Sequence, residues 1–219
     1  MKNINCILFD FDYTLGDSSE GIIDCISYAF HNLGMPAPDP NEIKKTIGKS
    51  LPETFETFTG HRCGKTIKEF RKLFRARADE VMTDKTYLYS TVPTVLEELG
   101  DYRLGIVSTK FSYRIREILR REKIEQFFEA IIGGENVSQN KPDPEGLRLA
   151  LMKLNTSPED SVYVGDSQVD AETAKRAGIK FVAVLSGVTE RHQFESYDVL
   201  NFIHDLSELP ELLANTAST

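Results

Sequence analysis

A chain of 219 residues with 40% apolar content is long enough for one medium domain, or for a domain with an insertion, around a real core. A formal net charge of −8 and a pI near 5.1 exclude nonspecific attachment to nucleic acid or to an acidic membrane, while an anionic small substrate stays open because nearby charges outweigh distant ones. The cysteines Cys6, Cys25 and Cys63 are odd in number, widely spaced and set in apolar or helical contexts, so they read as reduced core or near-core residues rather than as a disulfide or metal set.

The chain opens with one lysine and an apolar β-type run over residues 4–9, broken at once by Asp10 and Asp12, a pattern wrong for a signal peptide. No stretch approaches the roughly 20 apolar residues of a membrane-spanning helix, and the expected location is cytoplasmic. Two carboxylates at the end of a buried strand cost several kcal/mol unless they are paired, hydrogen-bonded or metal-bound. A divalent cation is the simplest reason for them.

The stretch between this strand and the next run, at 103–107, is far too long for a simple crossover and reads mostly as amphipathic helix, an inserted helical cap. Gly21 to Leu33 carries Ile22, Ile23, Ile26, Ala29, Phe30 and Leu33 on about one face, and the Pro36 to Pro40 segment then breaks the chain. Asn41 to Ile47, Pro52 to Phe58 and Thr66 to Met82 follow as helices, with Thr46 to Leu51 a short loop. Arg71, Arg75 and Arg77 on the last of these read as an exposed face rather than an anion site.

Beyond the insertion, β-type runs at 103–107, 130–133, 161–165 and 180–185 alternate with helical segments at Tyr113 to Leu119, Pro144 to Leu154 and Ala171 to Ala177. A further helix, Val92 to Leu99, precedes the first of them. That alternation predicts a parallel sheet. Ala214 to Thr219 reads as a frayed tail. The 161–165 run ends in a second acidic cluster, Asp166 and Asp170, so two distant segments place carboxylates at strand ends. In an open parallel sheet ligands bind there, and hard oxygen ligands suit magnesium.

Four motifs in order resemble the haloacid dehalogenase-like hydrolases, and within them the phosphoglycolate-phosphatase-like branch. They are Asp10-Phe11-Asp12-Tyr13-Thr14-Leu15, Ile106-Val107-Ser108-Thr109-Lys110, Lys141-Pro142-Asp143-Pro144 and Gly165-Asp166-Ser167-Gln168-Val169-Asp170. The resemblance implies an α/β fold with a Rossmann-like three-layer core and parallel sheet, built from 1–15 and 87–219, and an α-helical cap over 16–86. It also implies magnesium-dependent phosphoryl transfer through an aspartyl-phosphate on a small phosphorylated metabolite, in a monomer or homodimer.

The residue types suit that chemistry, which needs a nucleophile, charge stabilisation and a proton for the leaving oxygen. Asp10 is the candidate nucleophile, and Asp12 the group that protonates the leaving oxygen and later activates water. Ser108, Thr109 and Lys141 are candidate phosphate ligands. The implied metal set is Asp10, Asp166, the backbone carbonyl of Asp12, and Asp170 in an outer position. Helix capping is the competing role for Asp166 and Asp170. Lys110 reads equally as a surface charge. Tyr13 stands where the family usually has glycine, and either narrows the pocket or packs under the cap. In the family the loop matching Gly48 to Leu51 faces the active site, making Lys49 the candidate substrate contact from the cap.

Asp12 argues against a dehalogenase, and nothing around Lys44, Lys45 or Lys49 suggests the depressed pKa of a phosphonate-cleaving Schiff-base lysine. An inorganic pyrophosphatase and a β-phosphoglucomutase-type mutase stay open, with a non-catalytic binding module as the remote alternative.

Overall fold

The computed structural model describes residues 4–61 and 64–217, so the expectation for Cys63 lies outside the described residues. The chain divides into two compact units, one comprising the residues up to Gly16 and from Leu88 onward, the other Asp17–Tyr87.

In chain order the elements are β1 (Cys6–Phe9), β2 (Gly16–Asp17), α1 (Ser19–Asn32), α2 (Pro40–Lys44), α3 (Leu51–Thr59), α4 (Lys65–Val81) and β3 (Tyr87–Leu88). Then come α5 (Val92–Glu98), β4 (Arg103–Val107), α6 (Ser112–Arg121), β5 (Ala130–Ile132), α7 (Glu145–Leu154), β6 (Ser161–Gly165), α8 (Gln168–Ala177), β7 (Lys180–Val184), β8 (Val199–Ile203) and α9 (Leu209–Ala217). Short 3-10 turns fill several of the connections.

The first unit is built on a six-stranded sheet of order β5-β4-β1-β6-β7-β8, with every pairing parallel. Counting only these strands along the chain, the order is the doubly wound one of a Rossmann fold, and the winding reverses between β1 and β6. The strands read as continuous apolar runs because both faces are covered. Alternate residues divide accordingly: Ile7 and Phe9 of β1 pack with α5, α6 and α9 residues such as Leu96, Ile115 and Leu213. Cys6 and Leu8 face α7 and α8 through Leu147, Leu151 and Ala174. Each fully buried aliphatic side chain contributes about 1.5–3 kcal/mol, so the two clusters supply most of the driving force for the three-layer arrangement. Burial also pushes the Cys6 thiol up to about 11, which keeps it a protonated core residue.

Two features depart from the sequence expectations. β8 was not foreseen, because this edge strand is half-exposed, carries exposed Asn201 and pairs with β7 through an irregular register. The segment from Ala214 to Ala217 is not a frayed tail but the last part of α9, whose Leu209 and Leu213 are buried in the core.

The second unit is helical. α1 and α4 pack against each other around Phe30, Phe55 and Phe70, whose ring centroids lie 4.9–5.8 Å apart. Pro40 and the Asp39 side chain start α2, which ends at Lys44 rather than continuing to Ile47. The Thr46 hydroxyl donates to the Ile43 carbonyl at 2.7 Å, offering the backbone a turn instead of another helical bond. Arg77 is not a bare surface charge, since it pairs with Asp24 at 2.7 Å and with Glu80 at 3.0 Å.

Replacing Phe70 with alanine should destabilise the helical unit by about 3–5 kcal/mol, as for other buried aromatic truncations. A urea titration followed by circular dichroism checks this, and an unshifted midpoint would show that the ring does not hold that core together.

Candidate active site

All six parallel strands end on one edge of the sheet, and β1 lies between β4 and β6, with Phe9 opposite Ile106 and Val164. The residues that follow these strands, Asp10, Ser108 and Asp166, therefore leave the edge side by side. Backbone bonds hold them there: the Asp10 N–H donates to the Val164 carbonyl at 2.9 Å and the Ser108 N–H to the Ile132 carbonyl at 3.0 Å. Asp10, Asp12, Ser108, Lys141, Asp166 and Asp170 are all buried.

Lys141 arrives from the loop after β5. Its Nζ donates to Asp170 Oδ1 at 2.6 Å and to the Tyr163 hydroxyl at 3.0 Å. It also lies 2.9 Å from Asp10 Oδ1, in ionic contact without hydrogen-bond alignment. Burial alone would depress this ammonium, but the Asp10 and Asp170 carboxylates outweigh it and hold Lys141 above its ordinary range. The Tyr163 hydroxyl is 2.9 Å from the Val107 carbonyl and 3.0 Å from Asp170 Oδ1, either of which can accept its proton. Burial, then the charges of Asp170 and Asp10, push this phenol well above its usual value, so it stays protonated.

Asp170 serves two neighbourhoods at once. Its Oδ2 accepts the Ser167 N–H at 3.1 Å in a capping box at the start of α8, while Oδ1 takes Lys141 and Tyr163. The capping and site readings of this residue are compatible because they use different oxygens. Asp166 is reached by the Thr14 hydroxyl at 3.4 Å. Gly187 packs directly on it, since a Cβ there would fall 2.1 Å from Asp166 Oδ2.

Asp12 is paired with Lys110, whose Nζ lies 3.1 Å from Asp12 Oδ1. The lysine that the sequence left balanced between surface and site is thus a buried member of the cluster. Tyr13 adopts φ 60°, the left-handed region, and its carbonyl accepts a hydrogen bond from the Ser186 hydroxyl. A non-glycine residue is disfavoured there by about 1–2 kcal/mol, which accounts for the glycine usual at this position. Thr109 extends the same loop after β4. Lys49 lies in the other unit, exposed in the turn between α2 and α3.

Tyr163, Thr14 and Gly187 were missed by the sequence reading. Tyr163 sits inside an apolar strand, and the only signal was a phenol at a position that must be fully buried. Nothing local marked Gly187, whose role is a close approach made in three dimensions.

Carboxylate oxygens of Asp10, Asp166 and Asp170 lie within 4.8 Å of one another. The ammoniums of Lys110 and Lys141 stand against the four carboxylates. Burial, reinforced by Asp170 and Asp12 and opposed by Lys141, pushes the Asp10 carboxyl up to about 7. Burial and the charges of Asp170 and Asp10 likewise raise Asp166 well above its ordinary value. Asp10 Oδ1 accepts no aligned hydrogen bond among the described residues. An all-oxygen set with surplus negative charge fits a small divalent cation such as magnesium.

The model of the haloacid dehalogenase-like hydrolase family matches residues 7–184. The chain is 31% identical to "Pyrophosphatase PpaX" of Anoxybacillus flavithermus over 98% of its own length and 99% of that protein. It is 33% identical to the protein of the same name from Bacillus velezensis, over 95% of each. Among solved structures, a putative haloacid dehalogenase-like hydrolase from Bacteroides fragilis superposes with a TM-score of 0.91 at 41% identity, covering 94% of this chain and 100% of that one. Among the described residues no helix is long and apolar enough to cross a membrane.

The raised carboxyls of Asp10 and Asp166 set a pH dependence. An unfolded aspartate loses its proton near pH 3.8, whereas folded Asp10 keeps its own to about 7. The stabilising contribution of Asp10 is therefore fully present below the unfolded value and is lost as the pH rises through about 7, and that of Asp166 changes in the same direction. A cation that binds the ionised form should recover it. Magnesium should raise the melting temperature at pH 8 and do so less at pH 5.5, where protons compete. Scanning fluorimetry at both values checks this, and an equal shift at each would count against these carboxylates as the ligands.

Proposed function

The chain belongs to the haloacid dehalogenase-like hydrolases, and we propose that it is a magnesium-dependent phosphatase acting on a small phosphorylated metabolite through an aspartyl-phosphate. One observation carries the reading: the buried Asp10 carboxylate sits at the sheet edge in ionic contact with Lys141 at 2.9 Å, beside the acidic set of Asp166 and Asp170.

In the first step an Asp10 oxygen attacks phosphorus, the bond from phosphorus to the leaving oxygen breaks, and Asp12 gives that oxygen its proton. In the second, Asp12 takes a proton from water, whose oxygen attacks the acyl phosphate and releases inorganic phosphate and the Asp10 carboxylate. Lys141 aligns Asp10 and draws the transferred phosphoryl group toward it. The Ser108 hydroxyl and the Thr109 segment, at the end of β4, donate to phosphoryl oxygens. Tyr163 and Asp170 keep Lys141 from swinging away.

Asp10, Asp166 and the Asp12 carbonyl would hold the magnesium ion, which supplies positive charge against the phosphoryl oxygens. Both Asp170 oxygens already have protein partners, which suits it to the outer position.

Inorganic pyrophosphate is a second reading, favoured by the name of the two bacterial relatives. The steps are the same, with phosphate as the leaving group.

Asp10→Asn should lower kcat by at least about a thousandfold, as for loss of a nucleophile. Asp12→Asn should lower it by about 10² to 10⁴, the usual span for general acid–base groups. Phosphate release with magnesium, across p-nitrophenyl phosphate, phosphoglycolate, pyrophosphate, sugar phosphates and nucleotides with an EDTA control, measures both effects and ranks the substrates. Full activity in either variant would overturn these roles, and a wild-type protein releasing phosphate from nothing would overturn the reading itself.

A further inference from the structure

Each of the two aspartates Asp10 and Asp12 has a buried lysine beside it. Lys141 serves Asp10. Lys110 lies 3.1 Å from the Asp12 carboxylate, its side chain 4% exposed and its ammonium 5.8 Å from the centre of the Phe11 ring. A lysine taken out of water in this way is costly unless an anion stays beside it.

Its position is built rather than incidental. The Lys110 N–H is 3.3 Å from Ser108 Oγ, and its carbonyl accepts the Gly134 N–H at 3.1 Å. Gly133 and Gly134 press so closely on this segment that an added Cβ would fall 2.7 Å from the Lys110 carbonyl oxygen and 2.5 Å from that of Thr109. The loop after β5 therefore clamps the lysine's backbone while its side chain reaches back to Asp12.

We propose that Lys110 is a specificity-determining residue that selects substrates whose leaving group is itself anionic, carrying a second phosphate or a carboxylate. The inference rests on the phosphatase reading and on the place that reading gives Asp12. A group that protonates the leaving oxygen must stand within hydrogen-bond reach of it. An ammonium beside that carboxyl is then close to whatever the leaving oxygen is attached to. There the Lys110 ammonium is placed to pair with a negative group carried by the leaving part of the substrate. An uncharged leaving group gains no such ion pair. Lys141 acts on the phosphoryl side common to all substrates, whereas Lys110 acts on the side where they differ.

The test compares wild type, Lys110→Met and Lys110→Arg on pyrophosphate, phosphoglycolate, ethyl phosphate and p-nitrophenyl phosphate, each with magnesium. Calorimetric binding of methylenediphosphonate and of inorganic phosphate runs alongside. Wild type should favour the first two substrates over ethyl phosphate. Lys110→Met should lower kcat/KM for them at least tenfold more than for the other two, and weaken methylenediphosphonate at least tenfold more than phosphate. Lys110→Arg should keep much of the preference, and the larger loss between pyrophosphate and phosphoglycolate identifies the anion recognised. Equal losses on all four substrates with unchanged relative binding would reduce Lys110 to a structural partner of Asp12 and overturn the inference. A wild-type protein that turns over no substrate defeats the phosphatase reading instead, and the binding ratio still decides the role of Lys110. Should Lys110→Met fail to fold, Lys110→Gln replaces it in every comparison.

Discussion

Four carboxylates gathered at one edge of a parallel sheet repel one another and lose their hydration, and the surrounding structure is arranged to make that tolerable. Lys141 contacts Asp10 and Asp170 together, and Lys110 contacts Asp12. Tyr163 accepts from Lys141 and is anchored on the strand backbone. Burial first, and then the negative charge left over when two ammoniums face four carboxylates, raise the Asp10 and Asp166 carboxyls.

The edge can be this crowded because the backbone approaches it closely. Gly187 lies against Asp166, Gly165 against Asp170, and Gly133 and Gly134 against the loop after β4, each where a Cβ would collide. Tyr13 is the exception, a bulky residue in the left-handed conformation that glycine adopts freely. Its carbonyl is held by Ser186, so the turn between Asp12 and Thr14 is set despite the strain. Asp12 and Thr14 flank that turn and face different partners, Lys110 and Asp166.

The placement of the two lysines follows from the winding of the sheet. β4 and β5 lie on one side of β1, and both lysines come from the loops that follow them. The acidic pair Asp166 and Asp170 follows β6, on the other side. Asp10 stands between cationic and anionic neighbours, and the doubly wound order with its reversal beside β1 produces that juxtaposition.

The sequence by itself determined the fold class, the helical insertion and the four motif segments. Continuous apolar runs such as 161–165 and helical apolar spacing are local consequences of burial, and the acidic and basic residues stand out against them. It did not disclose β8 or α9, because a half-exposed edge strand and a polar-flanked terminal helix lack a strong apolar period. Within the site, Asp10, Asp12 and Asp166 stood out as carboxylates at strand ends, while Ser108, Lys141 and Asp170 were marked by the motifs they belong to. Which lysine meets which aspartate was decided only by tertiary structure, as were the anchoring phenol of Tyr163 and the two simultaneous partnerships of Asp170. Those contacts join residues from 3 to 131 positions apart, and the charge on each depends on distances that no local pattern encodes.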